Sequence, residues 1–526
     1  MSLVPFQSYR KCWKTGDFQA PWTESRQSIY ACLREAKNQS GIAGNTVLPD
    51  DEAINQGRKI RFASGASDNI LGGGTEDPQV VQQVAKVLQH PSRAHIAALY
   101  QSLLRGPVVG WIDDAAPKIV QATPDPACLA IFFDWLARNS PDREPAKFAI
   151  AMLGLITGSE HTDMFLTFGG HEEFTKFASV ALLRSLPPDQ ARIALIDLAR
   201  NLHGWGRIDL VRRLAPEADA EFRAWLVRDG FRNTVMDTSL AYIAATDGQL
   251  LQQLSDEVAQ DDDALMDGAA DIFNALASGG SAKGMGHYAD GATAVLRWLD
   301  LIERKPATLI RAYAAQSLQR FIDRRQNPGK WPSGTASVIA DRASTYIQRT
   351  EIRDLVLECL TTGAKEGFWE ARSIAKQAGI DPWPYLYYLQ SADGTAHHWH
   401  HMMRTDDLAR IDQVIDLALR QLPLDEVATG PGEEMGLGPE FRHHRALEFI
   451  TQGLQPFPGK GWTLIAAALQ SPVVRNRNMA VKALDAWPKA NWPPQAMPLV
   501  REAIRNEPRA NIRARMEGLL APEIHR

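Results

Sequence analysis

Cysteine and long apolar runs are both scarce in this sequence, and each absence excludes a class of protein. The four cysteines lie far apart without a CxxC pair, which excludes a disulfide framework and a zinc ribbon. No stretch of about 18 apolar residues is present, so we expect no transmembrane helix and no membrane partner. The N-terminus also lacks an apolar stretch after a basic start, which argues against a secretory signal. We therefore expect a cytoplasmic protein with reduced thiols.

Catalytic motifs and an excess of positive charge are missing as well. The sequence contains no GxSxG elbow, no Walker A loop and no GxGxxG between a strand and a helix. The formal net charge is −5 and the isoelectric point is about 6.3, whereas a dedicated nucleic-acid-binding protein needs a positive field. These absences favour a protein that is not an enzyme, and they imply no cofactor.

The sequence does contain strong helical periodicity. Apolar residues recur at intervals of three and four positions in 189–202, 307–322 and 405–422, which predicts amphipathic helices there. Thr405 is the predicted N-cap of the last of these helices, and the acidic residues that follow it suit the helix dipole. The best candidate for a strand is the short stretch 59–64. The sequence therefore predicts an all-α fold.

Short segments of the sequence also resemble one another. KFAIAML at 147–153 recurs as KFASVAL at 176–182, and a second alignment near the C-terminus pairs Arg477 with Arg513. Each segment places a basic residue before small residues and then a leucine, so that one helix approaches its neighbour closely. The stretch SPVVRNRNMAVKALDAWP at 471–488 resembles a helix of a HEAT- or armadillo-like repeat. This resemblance implies an α-solenoid, a superhelix of helical hairpins whose concave face binds a partner.

Glycine-rich stretches divide the sequence into predicted parts. SDNILGGGTEDP at 67–78 and ASGGSAKGMGHYADG at 277–291 are typical of long loops. We therefore predict an irregular N-terminal cap segment, an N-terminal helical repeat array and a C-terminal helical repeat array, at residues 1–75, 76–280 and 281–526.

The resemblance implies a non-enzymatic cytoplasmic scaffold that binds a protein or peptide on the concave face. Tryptophans and arginines near helix starts suit this role, because both residue types anchor partners at interfaces. In NLHGWGRIDLVRRL at 201–214, we expect the first helix to end at Gly204 and Trp205 to lie in the following turn. The predicted partner-binding residues are Trp205, Arg207, Arg212, Arg311, Arg477 and Arg513.

Charge segregation along the chain leaves one alternative function open. Residues 247–271 carry eight acidic and no basic side chains, whereas 471–526 is rich in arginine. Such segregation favours a charge-complementary partner. The basic C-terminal region also fits a HEAT-like DNA-binding or DNA-repair protein with a basic concave patch.

A histidine cluster leaves a second alternative open. ADGTAHHWHHMMRTDD at 392–407 places four histidines around Trp399. Zinc accepts imidazole nitrogens that are three or four residues apart on a helix, but a site needs three or four ligands and a supporting shell. Packing around Trp399 explains the cluster without a metal. A metal-dependent enzyme would instead use His397, His400, His401 and His443.

Overall fold

A computed structural model shows an all-α protein. It describes residues 13–40, 44–54, 63–71, 79–123, 126–280, 283–324 and 331–521. These residues form helices joined by turns and contain no strand, apart from isolated β-bridges between Gly44 and His171 and between Glu434 and Val473. The predicted fold class is therefore confirmed as all-α. Most of the predicted strand at 59–64 lies outside the described residues.

The chain divides into two compact units, Met1–Tyr346 and Ile347–Arg526. The glycine-rich stretch 277–291, from which we predicted a boundary, lies inside the first unit. The helices that begin in the first unit are α1 Ile29–Ser40, α2 Asp51–Ile54, α3 Val80–Gln89, α4 Arg93–Leu103, α5 Ile112–Ala122, α6 Pro126–Asn139, α7 Arg143–Ile156, α8 Thr162–Gly169, α9 Thr175–Ser185, α10 Pro188–Asn201, α11 Trp205–Leu214, α12 Ala220–Trp225, α13 Thr238–Thr246, α14 Leu250–Ser255, α15 Asp263–Ser278, α16 Gly291–Ile302, α17 Leu309–Asp323 and α18 Thr335–Ile347.

Alternate helices of the first unit form a central row, in which each packs against the next: α7, α9, α11, α13, α15 and α17. The flanking helices α6, α8 and α10 each pack against the row helix that follows them in sequence. Small residues permit this close packing, since a Cβ atom added at Gly154 of α7 would lie 2.5 Å from the Cβ of Ala181 in α9. The similar segments 147–153 and 176–182 thus lie on two neighbours of the row.

Apolar side chains between the row and its flanking helices form the core. Phe133 of α6 and Phe148 of α7 are fully buried and meet edge to face, with 5.4 Å between their ring centroids. Burial of one such side chain contributes roughly 1.5–3 kcal/mol. Trp298 of α16 is also fully buried, and its indole N–H donates to the carbonyl of Met266 at 3.0 Å.

The second unit contains a shorter central row. Its helices are α19 Thr350–Thr362, α20 Phe368–Ile374, α21 Trp383–Ala392, α22 Trp399–Met402, α23 Leu408–Gln421, α24 Leu424–Val427, α25 Arg442–Gly453, α26 Trp462–Leu469, α27 Val474–Ala486, α28 Ala496–Asn506 and α29 Ala510–Leu520. The row consists of α22, α25, α27 and α29, each packed against the next, and α26 and α28 flank it. Trp487 at the end of α27 is buried and donates to the carbonyl of Leu454 at 3.0 Å.

The start of α11 differs from the sequence prediction. α10 ends at Asn201, Gly204 is the N-cap of α11, and Trp205 is its first residue rather than part of the turn. The carboxylate of Glu172 explains this start, because it accepts from the backbone N–H groups of Gly204 at 2.6 Å and Gly206 at 2.5 Å. Free N–H donors and a positive dipole end make a helix start a favourable place for this carboxylate.

The N-cap of α23 also differs from the prediction. Asp407, not Thr405, occupies the N-cap position, and its carboxylate accepts from the backbone N–H of Ala409 at 2.8 Å. Thr405 instead accepts from the backbone N–H of Asp407 at 3.2 Å. Both residue types cap helices well, so the sequence alone does not decide between them.

The cysteines depart from expectation at one position. Cys32 and Cys359 are free, but Cys128 is disulfide-bonded. The expectation of reduced thiols is therefore wrong for Cys128, and cysteine usage gives no argument for a reducing compartment.

None of the helices in the described ranges combines the length and apolar character that a membrane span requires.

Candidate functional site

Three of the predicted partner-binding residues lie in the interior. Arg207, Arg311 and Arg477 are at most 2% exposed. Oxygen atoms of the protein itself accept from their guanidinium groups, which leaves few donors for a partner. These arginines therefore hold the fold together in this conformation, and their role in partner binding stays a prediction. The sequence shows that these arginines lie near helix starts, but it does not show which face of the helix they occupy.

Arg207 ties the end of α10 to a later turn. Its Nε donates to the carbonyl of Leu202, its Nη2 to that of Arg200 at 3.1 Å, and its Nη1 to that of Arg232 at 3.0 Å. Its neighbour Trp205 is 8% exposed and packs into the same junction. Both residues are thus buried in this conformation, and their role in partner binding stays a prediction.

Arg477 forms an ion pair with Glu507, and oxygen atoms of the protein accept from all three nitrogens of its guanidinium group. Both side chains are fully buried, and the carboxylate accepts from Nε at 2.7 Å and from Nη2 at 2.9 Å. The remaining donors reach the carbonyl oxygens of Ser471, Pro472 and Gly432. The pair therefore fastens α27 to the turn that precedes α29.

Arg311 neutralises part of the acidic stretch 247–271. Its Nε donates to Asp267 at 2.7 Å and its Nη2 to Asp263 at 2.9 Å. Further pairs join Arg228 to Asp262, Arg232 to Asp271 and Lys305 to Asp261. Cations from neighbouring elements thus compensate much of the charge that the sequence shows as an acidic block.

The other two predicted arginines reach solvent. Arg212 is exposed on α11, and Arg513 is half-buried at the start of α29. Arg513 donates through Nη2 to the carbonyl of Glu507 at 2.5 Å and so supports the buried pair with Arg477. Arg212 stays a prediction as a surface anchor.

Basic and aromatic side chains contact one another on three helices of the second unit. Trp369 of α20 meets His401 of α22, with 6.2 Å between ring centroids. The adjacent His400 meets Phe449 of α25 at 5.1 Å. Arg372, one turn after Trp369, places its guanidinium 4.3 Å from the centroid of that indole ring. Ring contacts therefore connect α20, α22 and α25.

Further polar and basic side chains lie on α27 and α29. Arg475 pairs with Glu448, the neighbour of Phe449, at 2.7 Å. Asn478, one turn later on α27, accepts from Arg515 of α29 at 2.9 Å. Lys482 follows after another turn and is exposed on the same helix face. This surface is termed the basic stripe, and its members are Trp369, Arg372, His400, His401, Phe449, Arg475, Asn478, Lys482 and Arg515.

Exposure makes the basic stripe available to a partner. The side chain of Arg475 is 63% exposed and Trp369 is 56% exposed, while Arg515 and Lys482 are also exposed. Glu448 beside Arg475 is buried, and this burial raises the pKa of its carboxyl group. The stripe thus combines solvent-accessible cations with aromatic rings, a composition that is typical of binding hot spots.

The histidines of the stripe are neutral near physiological pH. Burial lowers the pKa of His401 to about 3, and the charge of Arg372 lowers it further. Burial also lowers the pKa of His400, again with neighbouring arginines acting in the same direction. These rings therefore offer hydrogen bonds and ring faces to a partner rather than positive charge.

The predicted metal ligands do not form a ligand set. His397 is exposed before α22, and His443 accepts from Arg442 at 2.7 Å at the start of α25. Across the described residues, no three His, Cys, Asp or Glu side chains are arranged to hold a metal ion. In this conformation His400 and His401 belong to an aromatic surface.

A buried ionic cluster in the first unit involves residues that sequence analysis did not single out. The ammonium group of Lys147 in α7 is fully buried and lies 2.7 Å from Asp68, 3.0 Å from Glu144 and 2.8 Å from Glu173. These four residues are termed the Lys147 cluster. The signal in the sequence that could have indicated this cluster is the acidic pair in HEEF at 171–174. It lies just before the repeat segment KFASVAL at 176–182.

The Lys147 cluster joins residues 63–71 to the central row. Gly65 donates its backbone N–H to Glu173 at 2.8 Å, and Lys176 of α9 donates to the backbone carbonyl of Asp68 at 3.0 Å. Gly65 has φ of +79°, and an added Cβ would lie 2.6 Å from the carbonyl oxygen of Glu172. Only glycine fits this close contact without strain.

In comparisons with known proteins, no family model matches the chain, and no curated protein or solved structure is significantly similar to it. The resemblance to HEAT and armadillo repeats therefore stays a prediction from the sequence.

Proposed function

We propose that the chain is a non-enzymatic, cytoplasmic scaffold that binds an acidic protein or peptide segment on the basic stripe. In this proposal the helices of each unit are stacked as HEAT-like hairpins, and the central row carries the binding face. The alternation of row helices with flanking helices supports the solenoid arrangement. The observation that carries the function is the exposed set of cations and rings across the row of the second unit.

The chemistry of the basic stripe suits carboxylates on an extended peptide. The planar guanidinium group of Arg515 is matched to bidentate carboxylate binding, and the exposed ammonium group of Lys482 adds a second positive charge. Trp369, stacked with Arg372, supplies a rigid apolar anchor beside these charges. Four row helices at roughly 9–10 Å intervals span about 30 Å. That distance accommodates about nine extended residues at roughly 3.3 Å each.

Fluorescence anisotropy with a labelled peptide of about ten residues tests the proposed function. The probe alternates glutamate with glycine, and a matched peptide replaces each glutamate with glutamine. We expect saturable binding of the glutamate peptide and at least tenfold weaker binding of the glutamine peptide, because charge complementarity supplies the recognition. Equal binding of the two peptides, or no binding of either, would contradict the proposal.

Nucleic acid is the second candidate partner. It is favoured by the exposed indole of Trp369 beside Arg372, since bases stack on aromatic rings while arginines contact phosphates. A titration with labelled single-stranded and duplex oligonucleotides at low and moderate salt separates the candidates. Oligonucleotide binding that is tighter than peptide binding and falls steeply with salt would favour nucleic acid over an acidic peptide.

A further inference from the structure

Asp68 is the member of the Lys147 cluster whose charge is least compensated. The second oxygen of Glu144 accepts from the backbone N–H of Val108 at 2.7 Å, and that of Glu173 accepts from Gly65 at 2.8 Å. By contrast, Oδ1 of Asp68 is buried and, within the described residues, has no hydrogen-bond partner. Its Oδ2 lies 2.7 Å from the ammonium group of Lys147. Two other carboxylates contact the same ammonium group. Three carboxylates around one buried ammonium group, two of them buried themselves, favour protonation of one of them.

The charged groups around Asp68 come from every element packed against it. Lys147 and Glu144 face it from α7, Glu173 from the turn before α9, and Lys176 reaches its backbone carbonyl from α9. Burial raises the pKa of Asp68 to about 6, and the charges of Glu144 and Glu173 add to this rise while Lys147 opposes it. Although burial disfavours its ionised form, Glu173 keeps a pKa of about 2 because Lys147 and Arg143 attract its charge. Asp68 is therefore the member that takes up the proton.

We propose that Asp68 is a proton-controlled latch that holds residues 63–71 against α7 and α9. With Asp68 protonated, the segment stays docked through Gly65 and through Lys176. With Asp68 ionised, a third carboxylate competes for Lys147, and the docked state is weakened. Gly65 lies against Trp205, since a Cβ added to it would be 3.1 Å from the Cβ of Trp205. Undocking thus removes the contact between Gly65 and Trp205 at the start of α11.

The sign of the pH effect follows from the two states of Asp68. An undocked aspartate has a pKa of about 3.9, whereas docking raises the pKa of Asp68 to about 6. Docking therefore takes up a proton, so the docked state is most favoured at low pH and weakens as pH rises from about 4 to about 6. Above that range no further change is expected. For these two values, the docking constant falls about tenfold between pH 5 and pH 8.

Hydrogen exchange of the full chain, followed by mass spectrometry at pH 5 and pH 8, tests the latch. After correction for the intrinsic exchange rate, we expect protection of residues 63–71 to fall about tenfold at pH 8. Asp68→Asn keeps the side-chain shape without the charge, so its protection should be independent of pH. Asp113→Asn removes an exposed carboxylate from α5 and serves as the matched control, which should retain the pH dependence of the natural chain.

The outcomes separate the latch from general unfolding. Protection of α28 in the second unit should stay constant over the same pH range. Equal protection of residues 63–71 at both pH values in the natural chain would overturn the proposal, and this measurement needs no variant. A pH dependence that persists in Asp68→Asn would overturn it as well, because another group would then be titrating. The inference is independent of the partner proposed for the basic stripe.

Discussion

Two charged regions differ in the structure: the acidic stretch 247–271 is one block in the sequence, whereas the basic stripe is assembled from distant segments of the second unit. In the acidic stretch 247–271, arginines and a lysine from neighbouring elements pair with the carboxylates. In the basic stripe, Lys482 is exposed and Arg515 donates to an amide oxygen, so the charge of both lies at the surface. The comparison teaches that a charge block indicates a partner only where the fold has not already supplied the opposite charge.

Replacement of Arg477 gives the strongest test of the difference between arginines that are buried in ion pairs and arginines that are exposed to a partner. Arg477→Met leaves Glu507 buried without its cation, which we expect to destabilise the protein by about 3–5 kcal/mol. Urea unfolding followed by circular dichroism measures the loss. Arg505→Met, at an exposed position of α28, is the matched control and should change stability by less than about 0.5 kcal/mol. Similar stabilities of the two variants would contradict the structural role of Arg477.

Replacement of Arg311, which pairs with carboxylates of the acidic stretch, should have an intermediate effect on stability. Its partners Asp263 and Asp267 are partly exposed, so water solvates their charges after Arg311→Gln. We expect a loss of about 1.5–3 kcal/mol, which corresponds to hydrogen bonds with charged groups. Calorimetric melting of the variant beside the natural chain checks this. A loss as large as that of Arg477→Met would show that the exposure of the partner carboxylates is unimportant.

A rise in salt concentration should weaken peptide binding at the basic stripe but should change the stability from the buried ion pairs little. Raising the ionic strength from about 0.05 M to about 0.5 M shortens the Debye length well below 10 Å, so surface attraction is screened. We expect the acidic peptide to bind several-fold more weakly at the higher salt, while the unfolding free energy changes little. The anisotropy titration and the urea transition, run in the same buffers, give the two numbers. Salt-independent peptide binding would mean that exposed charge does not drive recognition.

The smallest expected effect is that of pH on peptide affinity at the basic stripe. Because burial and nearby arginines hold the pKa of His401 near 3, this ring stays neutral between pH 6 and pH 8, and the same causes lower the pKa of His400. Peptide affinity at the basic stripe should therefore be constant over this range. Titrations at three pH values check the expectation. Tighter binding at pH 6 than at pH 8 would show that the imidazoles gain charge in the complex.

The helices were largely predictable because their periodicity is local. The helix predicted at 189–202 corresponds to α10 at Pro188–Asn201, and its stripe residues Ala191, Leu195 and Leu198 are buried. What the sequence did not reveal is which side of a helix a polar residue occupies. Arg207 resembled a surface anchor because no local pattern shows that carbonyl groups of α10 and of a later turn surround it.

The candidate surfaces were harder to predict because they are assembled from distant segments. The basic stripe joins residues from Trp369 to Arg515 on five helices, and no single stretch contains the pattern. The histidine cluster drew attention to α22, although its rings prove to meet Trp369 and Phe449 rather than a metal. The Lys147 cluster likewise requires Asp68 to lie against α7, which is a tertiary contact.

Charge reversal on the basic stripe tests the proposed scaffold function most directly. The double variant Lys482→Glu with Arg515→Glu changes two exposed stripe residues, and Arg501→Glu with Arg505→Glu changes two exposed arginines of the flanking helix α28. We predict that the stripe variant loses at least about tenfold in affinity for the acidic peptide, or about 1.4 kcal/mol, while the control stays within about threefold of the natural chain. Equal losses in the two variants, with both folded by circular dichroism, would contradict a specific binding surface on the central row.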